Sequence, residues 1–324
     1  MVHMMTFAAS RTSFVDRGLL DEAPHVSWLV EGPARDEHGG VWSWADGKAR
    51  GFPYLEASGL LLSLHAEALG RGVGSPRIEA DARRIAGWIL PRLDRGVVIH
   101  KGASYAFDTA IVVAGLDRWA RVASDPDPRV ELAIAGGRRF LRSCLAERIG
   151  QRGRKDDGHW SRAFGPHLLK LVVALDDASL GDLGAYFVET CWDGEHFRTH
   201  AASLSWYAHA HAYALEGLLA LQAKGHSVDM SIVDAGLDSL RRVVRETSTT
   251  TDVAAQLVRL GLLRGWSPDD EGLQGAWERI AGRTRDSGGL LYLDDLDHQN
   301  TWVTVFTAQA KRWSRLGPDP FWLA

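Results

Sequence analysis

Hydrophobic positions along the chain fall into two alternating kinds of segment. Residues 55–69, 106–119 and 208–221 are apolar on nearly every face, as a helix surrounded by protein must be. Residues 76–93, 129–147, 228–246 and 268–285 are amphipathic. In the first of these, Ile85, Trp88, Ile89 and Leu93 recur at the i, i+3, i+4 spacing of a half-exposed helix. Pro76, Pro128 and Pro268 stand near the starts of such helices, where proline is tolerated. A shorter outer helix is expected over 178–191. Another is expected over 12–30, where Trp28-Leu29 matches Trp88-Ile89 in position.

Glycine-rich turns carrying an aromatic or apolar residue separate these segments. They read His38-Gly39-Gly40-Val41-Trp42, Asp156-Asp157-Gly158-His159-Trp160, Trp192-Asp193-Gly194-Glu195-His196-Phe197 and Asp286-Ser287-Gly288-Gly289-Leu290. Glycine admits positive φ and aspartate can close its own turn, so each stops one helix and redirects the chain. The apolar helices start near Tyr54, Tyr105, Arg162, Ser205, Thr250 and Thr301, at successive gaps of 51, 57, 43, 45 and 51 residues. That period suits a hairpin of two helices of about 15–18 residues with its connections. About twelve helices result, outer and inner in alternation. The first is outer and the last is inner, so the ends can pair. The pattern predicts an all-α (α/α)6 toroid of about six hairpins, one domain over 1–324, with the N-terminal helix closing the ring. Strand is expected only in short pieces such as 96–100 and 290–293.

Several of these residues resemble a known group. Tyr54-Leu55-Glu56-Ala57-Ser58-Gly59 resembles the "YPE-x-TG" opening of an inner helix in α/α-toroid proteins of bacterial polysaccharide clusters, which carry prenyltransferase-like or squalene-cyclase-like labels. Phe107-Asp108-Thr109 resembles their "FDTG" element, and His211 to Leu219 their "H-x-x-AYALEGLL" segment. Asn300-Thr301-Trp302 falls where they often carry "PNW". The likeness runs in order over most of the chain. It implies the toroid and leaves the reaction open, because this superfold hosts sugar epimerases, lyases, glycosidases, terpene cyclases and prenyltransferases.

Composition narrows the classes. The chain has 324 residues, 45% hydrophobic and 24% charged, with a formal net charge of −4. That is globular and argues against a nucleic-acid partner. No apolar run reaches the ~18–20 residues of a membrane span. No basic segment followed by an apolar core marks a signal peptide, so a cytoplasmic protein is expected. Cys144 and Cys191 are too few for a disulfide framework or a zinc knuckle. No HExxH, CxxC, GxGxxG, Walker loop or GxSxG occurs, and neither metal nor cofactor is expected.

In such a ring the starts of the inner helices open on a central cavity. Candidate catalytic groups there are His209, His211, Tyr213, Asp108 and Glu56. His209 and Tyr213 are i, i+4 neighbours, whereas His209 and His211 are not. Imidazole exchanges protons near neutrality and a phenol beside it can relay them. Equally, polar side chains in a crowded ring can serve only to satisfy one another. Candidate substrate-binding residues are Trp42, Trp44, Tyr54, Tyr105, Trp160, Trp206, Glu216, Asn300 and Trp302. Trp faces stack on sugar rings and also shield carbocations. Glu216 lies in an apolar run and needs a partner or a raised pKa. Asp294, Asp295 and Asp297 could hold a divalent ion or form a solvated loop. They read D-D-x-D, not the "DxDD" of class II terpene cyclases.

Three readings follow. A carbohydrate-active enzyme of polysaccharide or glycoconjugate metabolism would run acid/base chemistry on a sugar, as an epimerase, lyase or hydrolase, and take a small-molecule or oligosaccharide substrate. An isoprenoid cyclase-like enzyme would need an apolar cavity with one deep acid. A non-catalytic binding or assembly protein would have its centre plugged by side chains. The sequence leaves the oligomeric state open.

Overall fold

A computed structural model describes residues 20–46, 48–153, 159–177, 180–246 and 249–323. Its helices are α1 (Ala23–Glu31), α2 (Leu55–Gly70), α3 (Pro76–Ile89), α4 (Ala106–Val122), α5 (Arg129–Glu147), α6 (Leu180–Cys191), α7 (Ala208–Ala223), α8 (Met230–Glu246), α9 (Thr251–Leu263), α10 (Glu271–Arg283) and α11 (Thr301–Leu316). A 3-10 helix, Pro166–Val173, stands between α5 and α6. The buried inner set is α2, α4, the 3-10 helix, α7, α9 and α11. Each packs on the next, and α11 returns to α2. The outer set is α1, α3, α5, α6, α8 and α10, with α1 lying on α11. This is the closed six-hairpin toroid that the periodicity predicts.

Three local expectations change. The third inner helix, expected to start near Arg162, is the 3-10 helix from Pro166. Proline fixes the first turn, and Gly217 of α7 presses against it so closely that a Cβ there would lie 2.4 Å from Leu169 Cβ. The first outer helix begins only at Ala23, and the part of that expectation before Leu20 lies outside the described residues. Within 96–100 only Ile99–His100 is strand, and Leu290 and Leu291 form isolated bridges.

The turns repeat one backbone device. Gly39, Gly194 and Gly288 adopt φ of +104°, +103° and +91°, a conformation that side chains other than glycine's resist. The Asp156-Asp157-Gly158 turn lies outside the described residues.

The far end of the ring is stoppered by the C-terminal segment. Arg118 donates to the carbonyls of Phe321 and Leu323 and to Ser63 Oγ, each at 3.0 Å, and Gln309 Nε2 donates to the Trp322 carbonyl at 2.6 Å. The inner helices begin at the opposite end. Among the described residues no helix is long and apolar enough to cross a membrane. Cys144 and Cys191 are both buried.

Helices α2 and α4 meet through two glycines. A Cβ on Gly115 would lie 2.5 Å from the Gly59 carbonyl oxygen. We expect Gly115→Ala to cost about 1–3 kcal/mol in urea unfolding, because the backbones must separate. Gly87→Ala, in α3 with nothing within 4 Å of the new methyl, should instead add up to about 1 kcal/mol.

Candidate active site

Ring closure brings the first turns of all six inner helices to one face. Their capping residues, Tyr54, Tyr105, Gly165, Tyr207, Thr250 and Asn300, all hold extended backbone. Two residues further on, in register, come Glu56, Phe107, His167, His209, Asp252 and Trp302. Side chains in a first turn lean toward the helix start, so this position overhangs the open end. Five of the six line one cavity of about 410 Å³. The sixth, His167, is buried against Phe107 and Trp160, with ring centroids 5.8 and 5.5 Å away.

One wall is acidic. Tyr54 Oη donates to Asp108 Oδ2 at 2.8 Å, and the Trp302 and Tyr54 side chains hydrogen-bond to Glu56. Glu56 is only 6% exposed and Asp108 only 8%. Burial, then the charge of Asp108, pushes the Glu56 carboxyl up to about 8. Burial raises Asp108 to about 6, opposed by the bond from Tyr54. The two carboxyls thus titrate as a split pair: near neutrality one holds a proton and the other is largely ionised. The positive ends of the inner helices favour the ionised one.

The other wall carries the imidazole. His209 Nδ1 lies 2.8 Å from Gln256 Oε1 and 3.0 Å from Asp252 Oδ2. A carboxylate oxygen and an amide oxygen can only accept, so Nδ1 is the donor and Nε2 is the ring nitrogen these two bonds leave uncommitted. Trp160 meets the ring edge-on at 5.7 Å and Tyr213 at 4.4 Å. The Tyr213 hydroxyl and both nitrogens of His167 are buried and have no hydrogen-bond partner among the described residues. Burial and the nearby His209 lower His167 to about 3, which keeps it neutral.

The cavity unites Glu56, Asp108, His209 and Tyr213 with Tyr54, Tyr105, Trp160, Asn300 and Trp302. Other candidates stand elsewhere. His211 is fully buried, accepts from the Phe197 amide at 3.1 Å and donates to the Gly236 carbonyl at 3.2 Å. Two residues on from His209 it faces the other side of α7, where both ring nitrogens are used in tying the turn to α8. Trp206 stacks on His196 at 3.9 Å, Trp44 stacks on His298 at 3.8 Å, and Arg50 lies over Trp42 at 5.9 Å. None of these three indoles lines the cavity. Glu216 does share the inward face of α7, but two turns deeper, about 10 Å below His209. There it pairs with Lys170 at 2.5 Å and Arg259 at 3.3 Å, all three fully buried. Asp294 is clasped by Arg283, and Asp297 lies 4.0 Å from Arg285. Among the described residues no group of three or more His, Cys, Asp or Glu could hold a metal ion.

Asp252, Gln256, His167, Phe107 and Tyr292 were not singled out as site residues. The expected starts carry the signal for two of them: Phe107 and Asp252 stand two residues past Tyr105 and Thr250, as Glu56 stands past Tyr54, whereas His167 joins that register only through the observed cap at Gly165. The mouth is completed by Phe52, His100, Ser161 and Arg162.

No protein-family model matches the chain. No curated protein matches it either. Solved structures of the same fold do match. The cellobiose 2-epimerase of Spirochaeta thermophila DSM 6192 is similar at 10% identity and a TM-score of 0.62, over 90% of this chain and 96% of that one. An inactive variant of the GH76A α-1,6-mannanase of Salegentibacter sp. HEL1_6, in complex with α-1,6-mannotriose, is similar at 10% identity and a TM-score of 0.60, over 91% and 98%. A family 88 glycosyl hydrolase from Bacteroides vulgatus is similar at 11% identity and a TM-score of 0.59, over 92% and 99%. At these identities the likeness establishes the α/α-toroid fold. The prenyltransferase-like and squalene-cyclase-like labels do not appear among these neighbours.

The raised Glu56 pKa has a consequence for stability. Between pH 4.5, its ordinary value, and about 8, the folded chain holds a proton that the unfolded chain releases, so folding weakens as pH rises. Glu56→Gln removes that loss. We expect the variant to match wild type in urea unfolding below pH 4.5, to gain steadily above it, and to level off past about pH 8.

Proposed function

We propose that this chain is a carbohydrate-active enzyme of polysaccharide or glycoconjugate metabolism that moves protons on a sugar ring in the open end of the toroid. The observation that carries the reading is the split carboxyl pair. Glu56, protonated to about pH 8, and Asp108, ionised above about pH 6, are joined through Tyr54 in one polar, aromatic-walled cavity.

Glu56 is the proton donor, held in place by the Trp302 and Tyr54 bonds. Asp108 is the carboxylate that balances developing positive charge or takes up a proton. His209, with Nδ1 committed to Asp252 and Gln256, offers Nε2 as the base on the opposite wall. Donor and acceptor on two sides of a bound ring are what epimerisation, elimination and hydrolysis share. Trp302 and Trp160 present ring faces and edges to the sugar, and Asn300 and Tyr213 supply hydroxyl partners. An isoprenoid cyclase would want an apolar chamber with one acid; this wall carries Glu56, Asp108, Asp252, His209 and Arg162. A plugged scaffold would leave no cavity. The same-fold neighbours named above, an epimerase and two glycoside-cleaving enzymes, support the sugar reading.

The test is a panel of oligosaccharides that includes cellobiose and α-1,6-mannotriose, followed by proton NMR in H2O and D2O. Elimination or proton-transfer epimerisation exchanges a carbon-bound proton with solvent, whereas hydrolysis produces a new reducing end without exchange. We expect Glu56→Gln and Asp108→Asn each to lower kcat by about 10²–10⁴-fold. Wild-type kcat/KM should rise through about pH 6 as Asp108 ionises and fall through about pH 8 as Glu56 loses its proton. Turnover unchanged in Glu56→Gln would overturn the assignment.

A further inference from the structure

The aromatic walls extend past the acid and imidazole groups. On one side, ring centroids step from Trp302 to Tyr54 at 5.4 Å, to Phe52 at 5.0 Å and to His100 at 6.0 Å. On the other they step from His209 to Trp160 at 5.7 Å and to Tyr207 at 6.4 Å. Both series end in water: Phe52 is 48% exposed and Tyr207 54%. Ile99 and Leu204 are exposed beside them. All four stand on the segments that lead into the starts of α2, α4 and α7; Phe52 lines the cavity, and Tyr207 lies against Trp160 of its wall.

Exposed apolar side chains gathered at a cavity mouth mark a surface that meets a ligand. Their arrangement selects the ligand. A protein partner is met by a contiguous apolar core with a polar rim. Here single rings follow one another along each wall, and His100, Ser161 and Arg162 line the same cavity. A pyranose has that same pattern, with C–H faces that stack on a ring and hydroxyls at its edge that need polar neighbours. Successive sugar residues of one chain would meet successive rings of either series.

We propose that Tyr207 and Phe52 form outer carbohydrate subsites, so that the substrate is an oligosaccharide whose end ring sits among Glu56, Asp108 and His209 while its next rings lie on the rim. This rests on the sugar reading above. The test uses the Glu56→Gln protein, to hold turnover, on an array of glycans from one to five residues, with titration calorimetry on the linkage that binds. Affinity should rise at least about tenfold from one residue to three. Tyr207→Ala should erase most of that rise and leave single-residue affinity within about twofold, and Tyr207→Phe should keep the rise, since the ring rather than the hydroxyl does the stacking. Unchanged single-residue binding also reports that the Tyr207→Ala protein is folded. Affinity that does not grow with length, or that grows equally in Tyr207→Ala, overturns the rim subsites and leaves the sugar reading standing. Binding to no glycan on the array overturns both.

Discussion

The structure depends on one buried carboxylate that locks the ring shut. Glu67 of α2 is fully buried and accepts from Trp313 Nε1 at 2.6 Å and Gln309 Nε2 at 2.9 Å, both on α11. Arg71 at 3.0 Å and Arg312 at 3.5 Å balance its charge. Arg312 also reaches Glu22, just before α1, and the Leu64 carbonyl. First and last hairpins are thus fastened through buried polar groups on α2 and α11. Removing one partner of such a pair costs about 3–5 kcal/mol, because the other is left charged and buried. At the open end the same seam is completed by Trp44 pairing with Asn300 and by Thr301 Oγ1 donating to the Trp42 carbonyl at 2.5 Å.

Closure at that seam builds the acidic wall of the cavity. It places Trp302 of α11 against Tyr54 and Glu56 of α2, and it excludes water from a carboxyl that would otherwise ionise far below neutrality. The polar residues lower in the ring, Lys170, Glu216 and Arg259, serve the opposite purpose. They form ion pairs with one another and so link α7, α9 and the 3-10 helix below Tyr213 and Phe107. One fold thus carries two kinds of buried charge: deep groups paired with opposite charges, and mouth carboxyls held close to one another through Tyr54.

The period of apolar segments made the toroid legible, and five of the six inner starts fall within three residues of those expected. The 3-10 helix was not legible, because its form is set by the close approach of Gly217, a contact across the ring rather than along the chain. For the site, residue type was a weaker guide than register. His211 and Trp206 sit beside His209 and Tyr207 in sequence, yet helix geometry turns His211 away to cross-link α8 and leaves Trp206 against His196. Asp252 stands two residues past Thr250, the place that Glu56 holds past Tyr54. The pairing of Asp294 with Arg283 depends on tertiary contact and had no sequence signal.

The claim on which the account turns is that Glu56 holds a proton at neutral pH beside an ionised Asp108. Infrared difference spectroscopy of the carboxyl stretch, taken across a pH titration of wild type and Glu56→Gln, addresses it directly. A protonated-carboxyl band is expected at pH 7 that fades through about pH 8 and is missing from Glu56→Gln. Absence of that band from wild type at pH 7, or its persistence in Glu56→Gln, would contradict it.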